Sequence, residues 1–219
     1  MAKLQIMLLG CGKMGSAMLK GWLADASLDA QFTIIEPFAD HLGWLQAHQQ
    51  VAVYHDCEAA ISAGSPVNSV IVLAVKPQMM DEAIAAFGPL RDDKTAFLTI
   101  AAGISTVWLK ARLGADAPVL RAMPNTPAAI GRGVTALYCD SAAAELVALA
   151  TQLLRTIGTV LAIDDETLMD AVTAVSGSGP AYVFLMAEAM TAAGVSAGLP
   201  ETLAKQLAEA TITGSGALI

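Results

Sequence analysis

Gly10-Cys11-Gly12-Lys13-Met14-Gly15 is the stretch of this chain whose residue types and spacing point most directly to chemistry. The GxGxxG spacing follows an apolar run, Lys3 to Leu9. It precedes a helical pattern in which Met14, Met18 and Trp22 recur at every fourth residue. In a strand–turn–helix setting Gly10 permits the tight turn, Gly12 lets the backbone approach a pyrophosphate, and Gly15 lets the helix pack close to the sheet. The helix start then offers unpaired N–H groups and the positive end of its dipole to phosphate oxygens. The competing reading is a glycine-rich turn that binds nothing, and the flanking strand and helix argue against it. Glu36 ends the second apolar run, at the roughly 20-residue offset of the acid that takes ribose hydroxyls. Its carboxylate would repel a 2′-phosphate. Between Pro37 and Arg91 the only Lys or Arg is Lys76. The pattern therefore favours NADH over NADPH, against the alternative of a solvated strand-end acid. Cys11, inside the motif, reads as a small neutral filler.

Ligands of such sheets bind at the carboxyl ends of the strands. Ala74-Val75-Lys76-Pro77 ends one apolar run, Ala101-Ala102-Gly103 the next, and Arg121-Ala122-Met123-Pro124-Asn125-Thr126-Pro127 a third. Small residues there let a flat nicotinamide lie against backbone. Lys76 could donate to a ribose or phosphate, and Asn125 could orient a carboxamide or substrate. Proline-rich turns that merely stop strands are the bland alternative. Ser176-Gly177-Ser178-Gly179-Pro180 opens a long apolar helix, with Ser suited to a cap and Pro to the first turn. It offers either an anion site or close helix packing through the glycines. His41, His48 and His55 form no metal pattern and belong to none of these motifs; His41 and His48 read as lying in an exposed helix. No Ser-His-Asp or Cys-His logic is visible. No catalytic side chain and no metal is therefore assigned. A redox enzyme without its own acid–base dyad fits, acting on a substrate that carries its own proton, such as an iminium ion.

These residues need a frame. Apolar runs at Lys3 to Leu9, Gln31 to Glu36, Val51 to Tyr54, Val70 to Val75, Ala96 to Ala102 and Val119 to Met123 read as strands buried on both faces. Such strands belong in parallel sheets covered by helices. Gly133 to Cys139 and Val160 to Ile163 add two more, with a helix from about Ala142 to Ile157 between them. The fold class is α/β, a Rossmann-type doubly wound, mostly parallel sheet over residues 1–163. Residues 164–219 read as all helical, over Glu166 to Val175, Ala181 to Gly194 and Glu201 to Ala210. Thr211 to Ile219 keeps helical periodicity.

With 219 residues, 55% hydrophobic and 15% charged, disorder is excluded. A net charge of −8 argues against a nucleic-acid partner. The three Cys (11, 57 and 139) make neither a disulfide framework nor a zinc site. The uncharged stretch from Ala171 to Ala187 is broken by its glycines and proline, so no membrane span is expected. The apolar run before the lipobox-like Leu8-Leu9-Gly10-Cys11 is too short for a signal core. A cytoplasmic protein is expected.

Taken in order, GCGKMG at 10–15, AVKP at 74–77, AAG at 101–103, RAMPNTP at 121–127 and AVSGSGPAYVF at 174–184 resemble pyrroline-5-carboxylate reductase across nearly the whole chain. The resemblance implies a Rossmann domain followed by a helical dimerisation domain, and a homodimer or larger homo-oligomer. The implied reaction passes hydride from NADH or NADPH to the C=N carbon of 1-pyrroline-5-carboxylate, giving L-proline. It implies that Leu9 to Met14 hold the pyrophosphate and that Ala74, Val75, Lys76, Pro77, Ala101, Ala102 and Gly103 line the cofactor. Asp56 would sit near the adenine ribose. Glu166, Ser178, Gly179 and Pro180 would meet the substrate. Glu36 and Asp56 depart from the Ser, Thr or Asn common at those places. A β-hydroxyacid dehydrogenase would show a catalytic Lys in the helical part, and none lies between Glu166 and Leu199. An imine reductase and a non-catalytic NAD-binding regulator also compete for the same pattern. The family also carries a later Ser-, Gly- and Thr-rich motif that no segment here matches. The resemblance thus implies a chain shortened at its C-terminus, with low turnover.

Overall fold

A computed structural model describes residues 3–139 and 141–219. It divides into two compact units, one running through Thr173 and the other Ala174–Ile219. The expected division near residue 163 falls earlier than this. Glu166 is hydrogen-bonded to Thr106 and Arg121, and Met169 is buried, which ties both to the first unit.

The strands of the first unit are β1 (Leu4–Leu9), β2 (Ala30–Ile35), β3 (Val51–Tyr54), β4 (Val70–Leu73), β5 (Ala96–Thr99), β6 (Val119–Met123), β7 (Gly133–Cys139) and β8 (Gly158–Ile163). Its helices are α1 (Lys13–Ala24), α2 (Cys57–Ser62), α3 (Met80–Ala86), α4 (Thr106–Leu113), α5 (Val147–Arg155) and the short α6 (Met169–Val172). Among the described residues these strands form one sheet in the order β3-β2-β1-β4-β5-β6-β7-β8. The sequence of β1 explains why it sits inside. Successive side chains of a strand point to opposite faces. Ile6 and Leu8 enter one apolar layer with Met18, Trp22 and Leu153 of α1 and α5. Met7 and Leu9 enter the other with Ala60, Met80 and Leu109 of α2, α3 and α4. A strand with an apolar partner on each face has no solvent side, which is the doubly wound arrangement. Trp22, fully buried, also donates its indole N–H to the Leu153 carbonyl at 2.9 Å, fixing α1 against α5.

The sheet is parallel except where β6 meets β7, which run antiparallel with Arg121 opposite Tyr138. Several element limits differ from the sequence reading. β4 stops at Leu73 and β5 at Thr99, so Ala74 to Pro77 and Ala101 to Gly103 are the turns beyond the strands. The helix expected from Ala142 begins as a 3₁₀ segment, Ser141–Leu146, and becomes α-helical at Val147. The segment carrying His41 is also 3₁₀, Ala39–Ala47.

The second unit pairs α7 (Gly179–Ser196) with α8 (Glu201–Leu218). A Cβ on Gly194 would stand 3.0 Å from the Ala204 Cβ, so the small residues set how closely the helices approach. Gly198, at φ +100°, turns the chain between them. α8 continues through Thr211 to Leu218, as the periodicity of that stretch suggests.

Candidate active site

The turn from β1 into α1 lies where the strand order reverses, between β2 and β4, which is where open α/β sheets bind ligands. Its three glycines differ in what surrounds them. Gly10 has φ +89°, and a Cβ there would lie 2.9 Å from the Ala74 carbonyl oxygen. A Cβ on Gly15 would collide with the carbonyl of Gly10. A Cβ on Gly12 would meet nothing within 4 Å. Gly10 and Gly15 are thus glycine for the fold, and Gly12 leaves an open face. That face is the start of α1, which has no side-chain cap and no acid in its first turn. The first N–H groups of a helix have no partner within it, so the chemistry here suits a phosphate.

Glu36 is buried and closes this turn from the end of β2. Its carboxylate accepts the Cys11 N–H at 2.7 Å through Oε2 and the Phe38 N–H at 3.0 Å through Oε1. It is therefore no solvated strand-end acid. Each carboxylate oxygen keeps a second lone pair with which to accept a hydroxyl. His41, which belongs to none of the sequence motifs, stands beside it. The ring Nε2 lies 2.8 Å from the Cys11 carbonyl and Nδ1 2.8 Å from the Phe38 carbonyl. Those carbonyls, the Cys11 one foremost, together with the charges of Glu36 and Asp40, outweigh partial desolvation and raise its pKa. The search for Lys and Arg near the 2′ position does not consider this histidine, which contacts the backbone on both sides of Glu36.

The remaining strand ends are distributed as follows. Leu9, Ile35, Pro37, Val75 and Met79 line an apolar cleft together with Asp56 and Glu82. Asp56 caps α2, accepting the Ala59 N–H at 2.7 Å, and pairs with His55 at 2.9 Å. Lys13 and Lys76 are exposed, Ala101 is buried, and Ala102 and Gly103 are exposed. Asn125 is buried, and its Oδ1 accepts the Val134 N–H at 2.9 Å, which fixes the start of β7. That oxygen serves the backbone first.

Glu166 is engaged more heavily than the sequence suggests. Oε1 accepts the Thr106 N–H and an Arg121 N–H, each at 2.8 Å, and Oε2 accepts the Thr106 hydroxyl at 2.5 Å. Burial opposes its charge, but the Thr106 hydroxyl, Arg121 and the Thr106 N–H together hold its pKa below the usual carboxylate range. The start of α4 is thus already occupied by the protein's own anion, whereas the start of α1 is not. Thr106 and Arg121 are partners that the sequence reading misses; an Arg inside an otherwise apolar strand is the signal.

In the second unit Ser178 precedes α7 and Pro180 lies in its first turn. The expected hydroxyl cap is absent. Ser178 has right-handed helical dihedrals, φ −86° and ψ −17°, because a π-helical turn, Thr173–Gly177, leads into it. A capping side chain needs an extended residue to reach back to the helix N–H groups. A Cβ on Gly179 would meet nothing within 4 Å, so this glycine is not explained by packing within the unit. Burial raises the Cys11 thiol and pushes Cys57 up to about 11, which makes both poor nucleophiles. Among the described residues no group of His, Cys, Asp and Glu could hold a metal ion. Among the same residues no helix is long and apolar enough to cross a membrane.

Sheet order, glycine turn and strand-end acid define an NAD(P)-binding oxidoreductase of the Rossmann type. Residues 5–103 match the family model described as NADP oxidoreductase, coenzyme F420-dependent, and residues 166–219 match that for pyrroline-5-carboxylate reductase dimerisation. The pyrroline-5-carboxylate reductase of Pseudomonas aeruginosa is 37% identical over 96% of this chain and 76% of its own. The solved reductase of Coxiella burnetii superposes with a TM-score of 0.85 at 28% identity, over 99% of this chain and 80% of its own. That of Plasmodium falciparum, solved with NADP bound, gives 0.77 at 26% identity, over 100% and 79%. The chain belongs to the pyrroline-5-carboxylate reductase family.

Proposed function

We propose that this chain reduces the C=N bond of 1-pyrroline-5-carboxylate to give L-proline, using a reduced nicotinamide dinucleotide. The observation that carries the reading is the glycine turn, open at Gly12 and closed behind by Glu36. When bound, the dinucleotide supplies a hydride to the C=N carbon, and the ring nitrogen keeps the proton it already carries. The protein's share is to bind and orient. Gly12 and the first N–H groups of α1 hold phosphate, Glu36 accepts from the ribose, and the Leu9–Val75–Met79 cleft takes the adenine. Holding two reactants in register can supply roughly 7–11 kcal/mol of a barrier in favourable cases, so no acid–base dyad is required. Ser178, Gly179 and Pro180 are the proposed substrate contacts in the helical part.

For cofactor choice, Glu36 favours NADH. Glu36→Ser removes the charge and should move the affinity ratio toward NADPH by about tenfold, or 1.4 kcal/mol. Parallel titrations with the two cofactors check this, and an unchanged ratio would remove Glu36 from selection. Glu166 is proposed as a substrate-side positioning residue. Glu166→Ala should raise the KM for the imine or lower kcat while NADH affinity stays within about twofold, a change of about 0.4 kcal/mol.

The helical unit carries the dimerisation match and exposes Phe184 at 61% and Leu185 at 65%, so we assign homo-oligomerisation to α7 and α8. Apolar surface of that kind marks an interaction site. A spectrophotometric assay with 1-pyrroline-5-carboxylate and NADH tests the reaction. Imine-dependent loss of NADH is expected. A chain that binds NADH yet never consumes it with this imine would refute the substrate.

A further inference from the structure

His41 faces two acceptors and, when neutral, has one N–H to give them. Its Nε2 and Nδ1 each lie 2.8 Å from a backbone carbonyl, of Cys11 in the glycine turn and of Phe38 just after Glu36. Only the protonated ring donates to both. The ring thereby joins the two segments that flank Glu36, and in such sites a nearby cation accommodates a 2′-phosphate. Histidine is also the side chain whose ordinary titration falls in the physiological range. The charged groups that act on it are Glu36 from the end of β2 and Asp40 on its own turn; the Cys11 thiol, whose own carbonyl meets the ring, feels Glu36 and Lys20 of α1. Lys20 lies 5.1 Å over the ring of Trp44, in the same 3₁₀ segment as His41.

Building on the dinucleotide reading above, we propose that His41 determines specificity at the cofactor's 2′ position. Protonated, it admits a 2′-phosphate beside Glu36; neutral, it leaves Glu36 to exclude one. Cofactor preference in this chain then depends on pH rather than being fixed by Glu36 alone.

The test is calorimetric titration of the wild-type chain, His41→Gln and His41→Lys with NADP+ and NAD+. It is run at about pH 5.5 and about pH 8.5, on either side of the ordinary histidine value. Comparing variants at one pH cancels the phosphate's own ionisation, which lies near pH 6. At the lower pH the NADP+-to-NAD+ affinity ratio of the wild type should exceed that of His41→Gln by about tenfold. At the higher pH the two ratios should coincide, and His41→Lys should keep a high ratio at both. In the free protein, the His41 ring signal followed by NMR should titrate above about 6.5.

Equal ratios for wild type and His41→Gln at both pH values overturn the proposal. So does an equal loss of both affinities, which would make His41 a loop clasp only. A ring that titrates at or below the ordinary value also counts against it, and this readout stands even if a variant fails to fold. Failure of the wild type to bind either dinucleotide would defeat the underlying reading; tight NAD+ binding with a flat ratio would defeat the His41 assignment alone.

Discussion

Gly12→Ala should lower NADH affinity by tenfold or more while costing the fold about 1 kcal/mol or less, whereas Gly15→Ala should cost the fold about 3 kcal/mol. The contrast follows from what each new methyl would meet. On Gly12 it would enter open space at the uncapped start of α1, so the protein itself has little to lose beyond glycine's small advantage over alanine as a cap. A phosphate needing that space would be displaced. On Gly15 it would collide with the carbonyl of Gly10, backbone that cannot yield without moving the turn, and Gly10 is itself held against Ala74. Overpacking of this kind costs up to about 3 kcal/mol, or about 6–12 °C in Tm for a chain of this size. Thermal melts and NADH titrations of the two variants separate the cases. Parent-like NADH binding by Gly12→Ala would mean that the open face is not where phosphate sits.

Arg121→Met should destabilise the first unit by about 3 kcal/mol, the low end for breaking a buried ion pair. The side chains of Arg121 and Glu166 retain 10% and 17% exposure, which is why the low end applies. The loss should depend on pH in a definite direction. Glu166 is held below the usual carboxylate range in the folded state. A depressed carboxylate stabilises fully above its unfolded value, near 4.3, and the gain disappears as pH falls through the lower folded value. The gap in Tm between parent and Arg121→Met should thus be constant from about pH 7 to 5 and close below about pH 4. A gap that persists unchanged in acid would show that Arg121 acts through packing of its stem instead.

The parts of this molecule that are legible in its sequence are those set by local pattern. Val51–Tyr54, Val119–Met123 and Gly133–Cys139 have the expected limits because β-branched and apolar runs end at turn residues there. The antiparallel β6–β7 step follows from length alone. A parallel crossover needs a dozen or more residues, and the link from Met123 to Gly133 is shorter, filled by the 3₁₀ turn Thr126–Ile130. The glycine turn and Glu36 can be found because their spacing is short and fixed. The partners of Glu166 cannot, since Thr106 and Arg121 lie far away in sequence and only the sheet brings them together. His41 escapes for the same reason. Its exposure is as the pattern suggests, but its contact with the Cys11 carbonyl joins residues 30 apart in sequence, which local periodicity does not report.

The central position of β1 has a consequence for the order of events on the ribosome. β1 emerges well before its second neighbour, β4, which is complete only at Leu73, and the glycine turn rests on Ala74. Until then the nascent chain carries Ile6 to Leu9 as an apolar strand with one edge unpaired, a template for pairing with another chain. The pairing of this strand edge and the packing of the glycine turn are therefore completed in one step, when β4 docks. Translation slowed before residue 74 would lengthen the interval in which the chain is prone to aggregate.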